Sequence, residues 1–183
     1  ELSDGRRMLN SRNWGYGVGR LVAISDDGGV TWKNQYLDTA LVDPEVNAGI
    51  TRMNPQATSG KAAKELLFTN ANNSPYNWQI DVDRKGQWIN RITGDVRYSC
   101  DNGATWPVSR VYHYGPHAYS SVTALKDGTF AVAYETKTDK EIRVGTFGRE
   151  WLKPFRANFP PASVSLGAGE STSVSVPLRT DDD

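Results

Sequence analysis

The 183-residue sequence contains a single cysteine, Cys100. One thiol excludes an intrachain disulfide and any metal site built from a cysteine cluster. Charge of one sign is also lacking, because 21 Lys and Arg stand against 21 Asp and Glu. A nucleic-acid binder usually carries a basic excess, so this balance argues against such a partner. No apolar run approaches the ~20 residues that a bilayer-spanning helix needs. Helical periodicity is almost absent. What the chain does have is turn chemistry and aromatic surface, with 17 Gly, 9 Pro, 6 Trp, 8 Tyr and 5 Phe. It opens on Glu1-Leu2-Ser3-Asp4-Gly5, with no initiator methionine and no leader-like apolar stretch. That start reads as the inside of a structural element, so a fragment is expected.

Short alternating runs split by Gly, Asp and Asn predict strands over 7–12, 20–24, 65–69, 95–99, 120–125, 129–134 and 141–147. Lys126-Asp127-Gly128 separates two of them as a hairpin turn would. The only helices expected are short, over 60–64 and 44–47. An internal repeat then organises the chain. Ser25-Asp26-Asp27-Gly28-Gly29-Val30-Thr31-Trp32 and Ser99-Cys100-Asp101-Asn102-Gly103-Ala104-Thr105-Trp106 share the pattern S-x-D-x-G-x-T-W. In such a box the aspartate accepts backbone N–H groups across a turn and the glycine supplies a positive φ. Thr and Trp would pin the returning strand into the core. Asp27 and Asp101 are therefore expected to be structural rather than catalytic.

The strand count suggests about three four-stranded units up to residue 157. A β-propeller closes with typically 4–8 such blades, which again points to a fragment with open sheet edges. After Asn158, Phe159-Pro160-Pro161 breaks the pattern, and 163–166 and 172–178 alternate around Gly167-Ala168-Gly169-Glu170. Residues 158–183 read as a linker or as the opening strands of a β-sandwich-like domain, the latter preferred. The expected fold is all-β: a partial propeller over 1–157, then the start of that second domain.

The boxes resemble the Asp-box repeats of sialidases (neuraminidases), a resemblance sharpened by four segments. The run from Glu1 to Arg12, ending Leu9-Asn10-Ser11-Arg12, is similar to the bacterial segment that ends in the second arginine of the family's arginine triad. Arg91-Ile92-Thr93-Gly94-Asp95-Val96-Arg97 precedes the second box as the third triad arginine does. Ala118-Tyr119-Ser120-Ser121-Val122-Thr123-Ala124-Leu125 looks like the nucleophile segment. Ala133-Tyr134-Glu135 looks like the glutamate that braces the first triad arginine. The resemblance implies a six-bladed propeller, of which 1–157 would be the C-terminal half. It implies exo-hydrolysis of terminal sialic acid from glycoconjugates, without metal or organic cofactor, by a secreted or extracellular protein. A sialylated glycan would be the partner, and the missing N-terminal half of the propeller would complete the ring.

The chemistry calls for these residue types. Sialic acid carries a carboxylate on its anomeric carbon, and an arginine fork holds a carboxylate bidentately at any working pH. Arg12 and Arg91 would take that role. A carboxylate nucleophile would be repelled by the substrate's own carboxylate, whereas the neutral phenol of Tyr119 would not be. A phenol, pKa ~10, attacks poorly at neutral pH unless a base such as a glutamate adjoins it. By resemblance, that glutamate, the first arginine and the acid aspartate would lie before Glu1. Glu1 itself matches the position after the catalytic glutamate. The chain would carry Arg12, Arg91, Tyr119 and Glu135, about half a site, and would be inactive alone.

Each assignment has a plainer rival. Arg12 could be a surface arginine, Tyr119 a core tyrosine and Glu135 a solvated strand end, and Arg97 competes for the place of Arg91. Tyr76, Trp78 and Trp88, in an insert over 70–90, could form an aromatic wall for the aglycone or simply pack the insert down. His113 and His117 have helical metal-ligand spacing, but Tyr114-Gly115-Pro116 between them forbids a helix. Loop positions beside Tyr119 are expected for both. Ser120 and Ser121 lack a nucleophile-elbow pattern, and Cys100 is expected to be a buried small hydrophobe. A non-catalytic Asp-box propeller that binds glycan or protein, or a sialyl-transferring relative, are the alternatives.

Overall fold

The computed structural model describes residues 1–13, 19–72, 91–136 and 141–153. Strands β1 (Arg7–Ser11), β2 (Gly19–Ser25) and β3 (Lys33–Val42) form an antiparallel sheet in the order β1-β2-β3. A second sheet runs β4 (Gly49–Arg52), β5 (Leu66–Ala71), β6 (Ile92–Ser99), β7 (Val108–Ala124), β8 (Phe130–Thr136) and β9 (Glu141–Phe147), each strand antiparallel to the next. Helix α1 (Gly60–Lys64) lies between β4 and β5, and a 3-10 turn, Arg149–Leu152, follows β9.

β7 serves two units. Its first stretch pairs with β6 as far as Ile92↔Pro116, and from His117↔Thr136 onward it pairs with β8. The changeover falls where Gly115 has φ +100° and Pro116 has no N–H to give to a ladder. The described residues thus make three successive antiparallel units: β1–β3, β4 to the first stretch of β7, and the second stretch of β7 to β9. The fold is all-β and a partial propeller.

β5 shows how the units stack. Its sequence Leu66-Leu67-Phe68-Thr69-Asn70-Ala71 is buried throughout, as a strand covered on both faces requires. Side chains alternate across a strand, so Leu66 and Phe68 join one core with Leu2, Val22, Ile24, Leu41 and Trp106. Leu67 joins the other, with Met53, Val96, Val122, Phe130 and Leu152. Gly49, at the start of β4, marks a close approach of two units. A Cβ there would lie 2.6 Å from the Val122 amide nitrogen and 2.9 Å from the Ser121 Cα. Backbone cannot swing aside as a side-chain tip can, so Gly49→Ala should cost about 1–3 kcal/mol. Urea unfolding checks this, and an unchanged midpoint would refute the contact.

The two boxes share one hydrogen-bond net. The Ser25 hydroxyl donates to Asp27 (2.7 Å) and accepts from the Gly29 N–H (2.8 Å), while the Thr31 N–H and hydroxyl donate to the Asp27 carboxylate at 2.9 and 2.6 Å. Ser99, Gly103, Thr105 and Asp101 repeat these contacts at 2.7, 2.9, 2.9 and 2.6 Å. Gly29 and Gly103 hold φ +101° and +81°. Hydrogen bonds from Thr31 and Ser25 drive the Asp27 carboxyl well below its usual range. Burial works against the same effect at Asp101, but the Thr105 and Ser99 hydroxyls still lower it. Both aspartates are turn locks. The tryptophans differ: Trp106 packs on Phe68 with ring centroids 5.8 Å apart, whereas Trp32 is among the exposed hydrophobics and does not enter a core.

Other expectations need correcting. Residues 44–47 form no helix. The Asp43 carboxylate accepts the Val46 N–H at 3.2 Å, a local turn that competes with helix, and Glu45 takes a left-handed φ of +58°. His113 and His117 lie within β7, not in a loop. Cys100 is half-buried rather than buried. β3, β4 and the first stretch of β7 were not among the expected strands. The chain divides at Lys153/Pro154, and the expected domain over 158–183 lies outside the described residues. So do Tyr76, Trp78 and Trp88 of the insert.

Candidate active site

Three elements deliver the candidate residues, each fastened by its neighbours. Arg12 leaves the end of β1, and the next residue is tied down, since the Asn13 N–H donates to Asp43 at 2.6 Å. Arg91 directly precedes β6, and its carbonyl accepts the His117 N–H at 2.9 Å. Tyr119 lies in the second stretch of β7. Its neighbour Ser120 donates to the Thr69 carbonyl at 2.9 Å, which fixes that stretch against β5.

The three side chains meet. Arg12 Nη1 donates to the Tyr119 hydroxyl at 3.3 Å, across 107 positions of sequence. The Arg91 guanidinium carbon lies 5.7 Å from the Tyr119 ring centroid, a cation–π distance. Both arginines also donate to one acceptor, the Glu45 carbonyl, from Arg12 Nη1 at 3.3 Å and from Arg91 Nη2 at 2.9 Å. Glu135 comes from β8, where its Oε2 accepts the Tyr119 N–H at 3.2 Å. Arg12, Arg91, Tyr119 and Glu135 are all half-buried, which leaves them within reach of solvent. Two guanidinium forks beside a phenol make a corner suited to a planar anion, above all a carboxylate.

The rival positions sit elsewhere. Arg97 Nε pairs with Asp95 at 2.7 Å, and Glu1 forms a surface pair with Arg7 at 2.8 Å. No group of three or more His, Cys, Asp or Glu among the described residues is placed to hold a metal ion. No helix among them is long and apolar enough to cross a membrane. An open groove of about 390 Å³ borders Tyr112, Val132, Tyr134, Phe147 and Trp151, and the arginine–tyrosine corner contributes nothing to its lining.

Sequence reasoning missed the layer behind the corner. Arg20 and Asp43 form a buried ion pair at 3.1 Å, with side-chain exposures of 3% and 0%. Burial pulls the Arg20 guanidinium below its usual range, against the opposing pull of Asp43. The one available hint was an arginine directly before the apolar run Leu21-Val22-Ala23-Ile24. His117 was singled out but its surroundings were not. It is buried, its Nε2 lies 2.6 Å from the Tyr112 hydroxyl, and its ring stacks on Tyr134 at 5.3 Å and 13°. Burial, reinforced by nearby His113, lowers the His117 pKa to about 4. Asp95 is raised by its own burial, against hydrogen bonding from Ser109 and the charge of Arg97.

No family model matches the chain. A curated sialidase from Micromonospora viridifaciens is 41% identical over 177 residues, covering 96% of this chain and 25% of the relative. Among solved structures, a Hadza microbial sialidase superposes with a TM-score of 0.60 at 24% identity, over 81% of this chain and 26% of that one. The intramolecular trans-sialidase of Ruminococcus gnavus, solved with oseltamivir carboxylate, gives 0.53 at 15% identity over 82% and 31%. These two likenesses concern the fold alone. The chain spans about a quarter of the length of the curated relative it matches. In sequence and in fold, this chain belongs to the sialidase family.

Proposed function

We propose that the chain supplies half of an exo-sialidase site, acting on terminal sialic acid of extracellular glycoconjugates. Arg12 and Arg91 hold the substrate carboxylate. The Tyr119 oxygen attacks the anomeric carbon, the glycosidic bond breaks, and water later releases the sugar with retention. Glu135 orients the first arginine of the triad while also holding the Tyr119 backbone. This reading takes that arginine, the base that activates Tyr119 and the acid that protonates the leaving group from polypeptide outside these 183 residues. The observation that carries it is the Arg12–Tyr119 hydrogen bond at 3.3 Å with Arg91 over the same ring at 5.7 Å. Two guanidinium forks suffice to bind a carboxylate, whereas the phenol beside them is the group that covalent attack would use.

The test is turnover of a fluorogenic sialoside. Residues 1–183 alone should release no fluorophore above the uncatalysed rate. In a propeller completed by the three further groups, Arg91→Ala should weaken substrate and carboxylate inhibitor together by about tenfold or more, as loss of charge-assisted hydrogen bonds does. Robust turnover by the isolated chain would overturn the division of the site.

A further inference from the structure

We propose that the Asp43–Val46 turn is a built-in template that sets the spacing and aim of the two arginines, with Asp43 as its positioning residue and the Glu45 carbonyl as its working atom. The inference rests on the reading that Arg12 and Arg91 take a carboxylate.

The geometry runs outward from Asp43. One carboxylate oxygen accepts the Asn13 N–H at 2.6 Å, which fixes the backbone just beyond Arg12. The other accepts the Val46 N–H at 3.2 Å and lies 3.1 Å from Arg20 Nη1. Arg20 in turn donates to the Val46 carbonyl at 2.7 Å and to Asn10 Oδ1 at 2.8 Å, so the same guanidinium clamps the turn and the strand end that carries Arg12. Held at both ends, the turn puts Glu45 at φ +58°. A left-handed conformation is costly for a residue with a side chain and persists only where its surroundings impose it. Its result is a carbonyl that accepts from Arg12 and Arg91 at once, at 3.3 and 2.9 Å. A shared acceptor holds two like charges side by side before any ligand arrives. Preorganisation of this kind lowers the ordering cost of binding.

The test uses the 15N-labelled 183-residue chain, titrated with methyl α-sialoside and with its carboxyl methyl ester. Wild type should prefer the acid and show dispersed Nε–H signals for Arg12 and Arg91. Glu45→Val, whose branched side chain disfavours the left-handed region, should lose about tenfold in affinity for the acid, the size of one charge-assisted hydrogen bond. Its two arginine signals should move toward those of solvent-exposed arginine. Glu45→Gly also lacks the carboxylate but adopts the turn freely, so it is the rescue variant, with affinity and signals recovered relative to Glu45→Val. Asp43→Asn should reproduce the Glu45→Val defect, and the Glu45 pair decides the matter without it. Wild-type affinity and arginine signals in Glu45→Val would overturn the template. Equal binding of acid and ester by wild type would instead sink the sialidase reading, while the arginine signals would still judge the template.

Discussion

Tyr119→Phe should lower turnover of sialyl-lactose by about 10²-fold or more in a completed propeller, with the affinity for a carboxylate-bearing inhibitor little changed. The substitution subtracts a single atom from the corner. Phenylalanine keeps the ring over which Arg91 lies at 5.7 Å, and it keeps the backbone N–H that Glu135 accepts at 3.2 Å. It removes only the oxygen that Arg12 meets at 3.3 Å. If that oxygen forms the covalent bond, the loss falls on kcat and on the burst of trapped intermediate. If Tyr119 merely packs, kcat stays near wild type, and the corner is a binding site without chemistry. Steady-state kinetics beside inhibitor titration separates the two.

The second large effect is on stability below neutral pH. In the folded chain burial holds the His117 pKa at about 4, whereas an unfolded histidine takes a proton near 6.5. Between those values the unfolded state binds the extra proton and the folded state does not. Stability should therefore fall as pH drops from about 6.5 to about 4, by up to about 1.4 kcal/mol per pH unit and about 3 kcal/mol in all. Among the described residues, the buried His117 Nδ1 has no hydrogen-bond partner, so a proton added there meets no acceptor. Asp95, raised by burial, works in the opposite sense over its own range, so the informative quantity is the difference between wild type and His117→Phe. Urea unfolding across this interval should show a slope that the variant lacks, and parallel curves would refute the assignment. Local consequences follow too, because the His117 N–H holds the Arg91 carbonyl at 2.9 Å two residues before Tyr119. Acid should disturb the corner before it unfolds the chain.

The legible parts of this fold are those made by contacts between near neighbours. Each box is closed by hydrogen bonds spanning two to four residues, from Ser25 and Thr31 to Asp27 and from Ser99 and Thr105 to Asp101. The pattern S-x-D-x-G-x-T-W therefore contains its own structure. The hairpin at Lys126-Asp127-Gly128 closes in the same way, with the Leu125 N–H donating to the Thr129 carbonyl at 2.9 Å. α1 and β9 fall where the sequence places them. β3 was illegible because it is largely exposed and shows no apolar alternation. The first stretch of β7 was hidden by Gly115 and Pro116, which read as a loop until the strand is seen to change partners there.

The candidate site divides along the same line. Sequence alone supplied the residue types, the repeat and the family resemblance, because an arginine, a tyrosine and a glutamate each sit in a short recognisable segment. The sequence already favoured Arg91 over its rival Arg97; the tertiary structure added that Arg91 meets Arg12 and Tyr119 in space while Arg97 pairs with Asp95 two residues away. Only it revealed the Arg20–Asp43 pair and the Glu45 carbonyl. A backbone carbonyl has no letter of its own in a sequence. A buried ion pair between positions 20 and 43 exists only after β1, β2 and the Asp43–Val46 turn have packed together. Local hydrogen bonds can be read from spacing, whereas the convergence of distant groups depends on how neighbouring sheets stack.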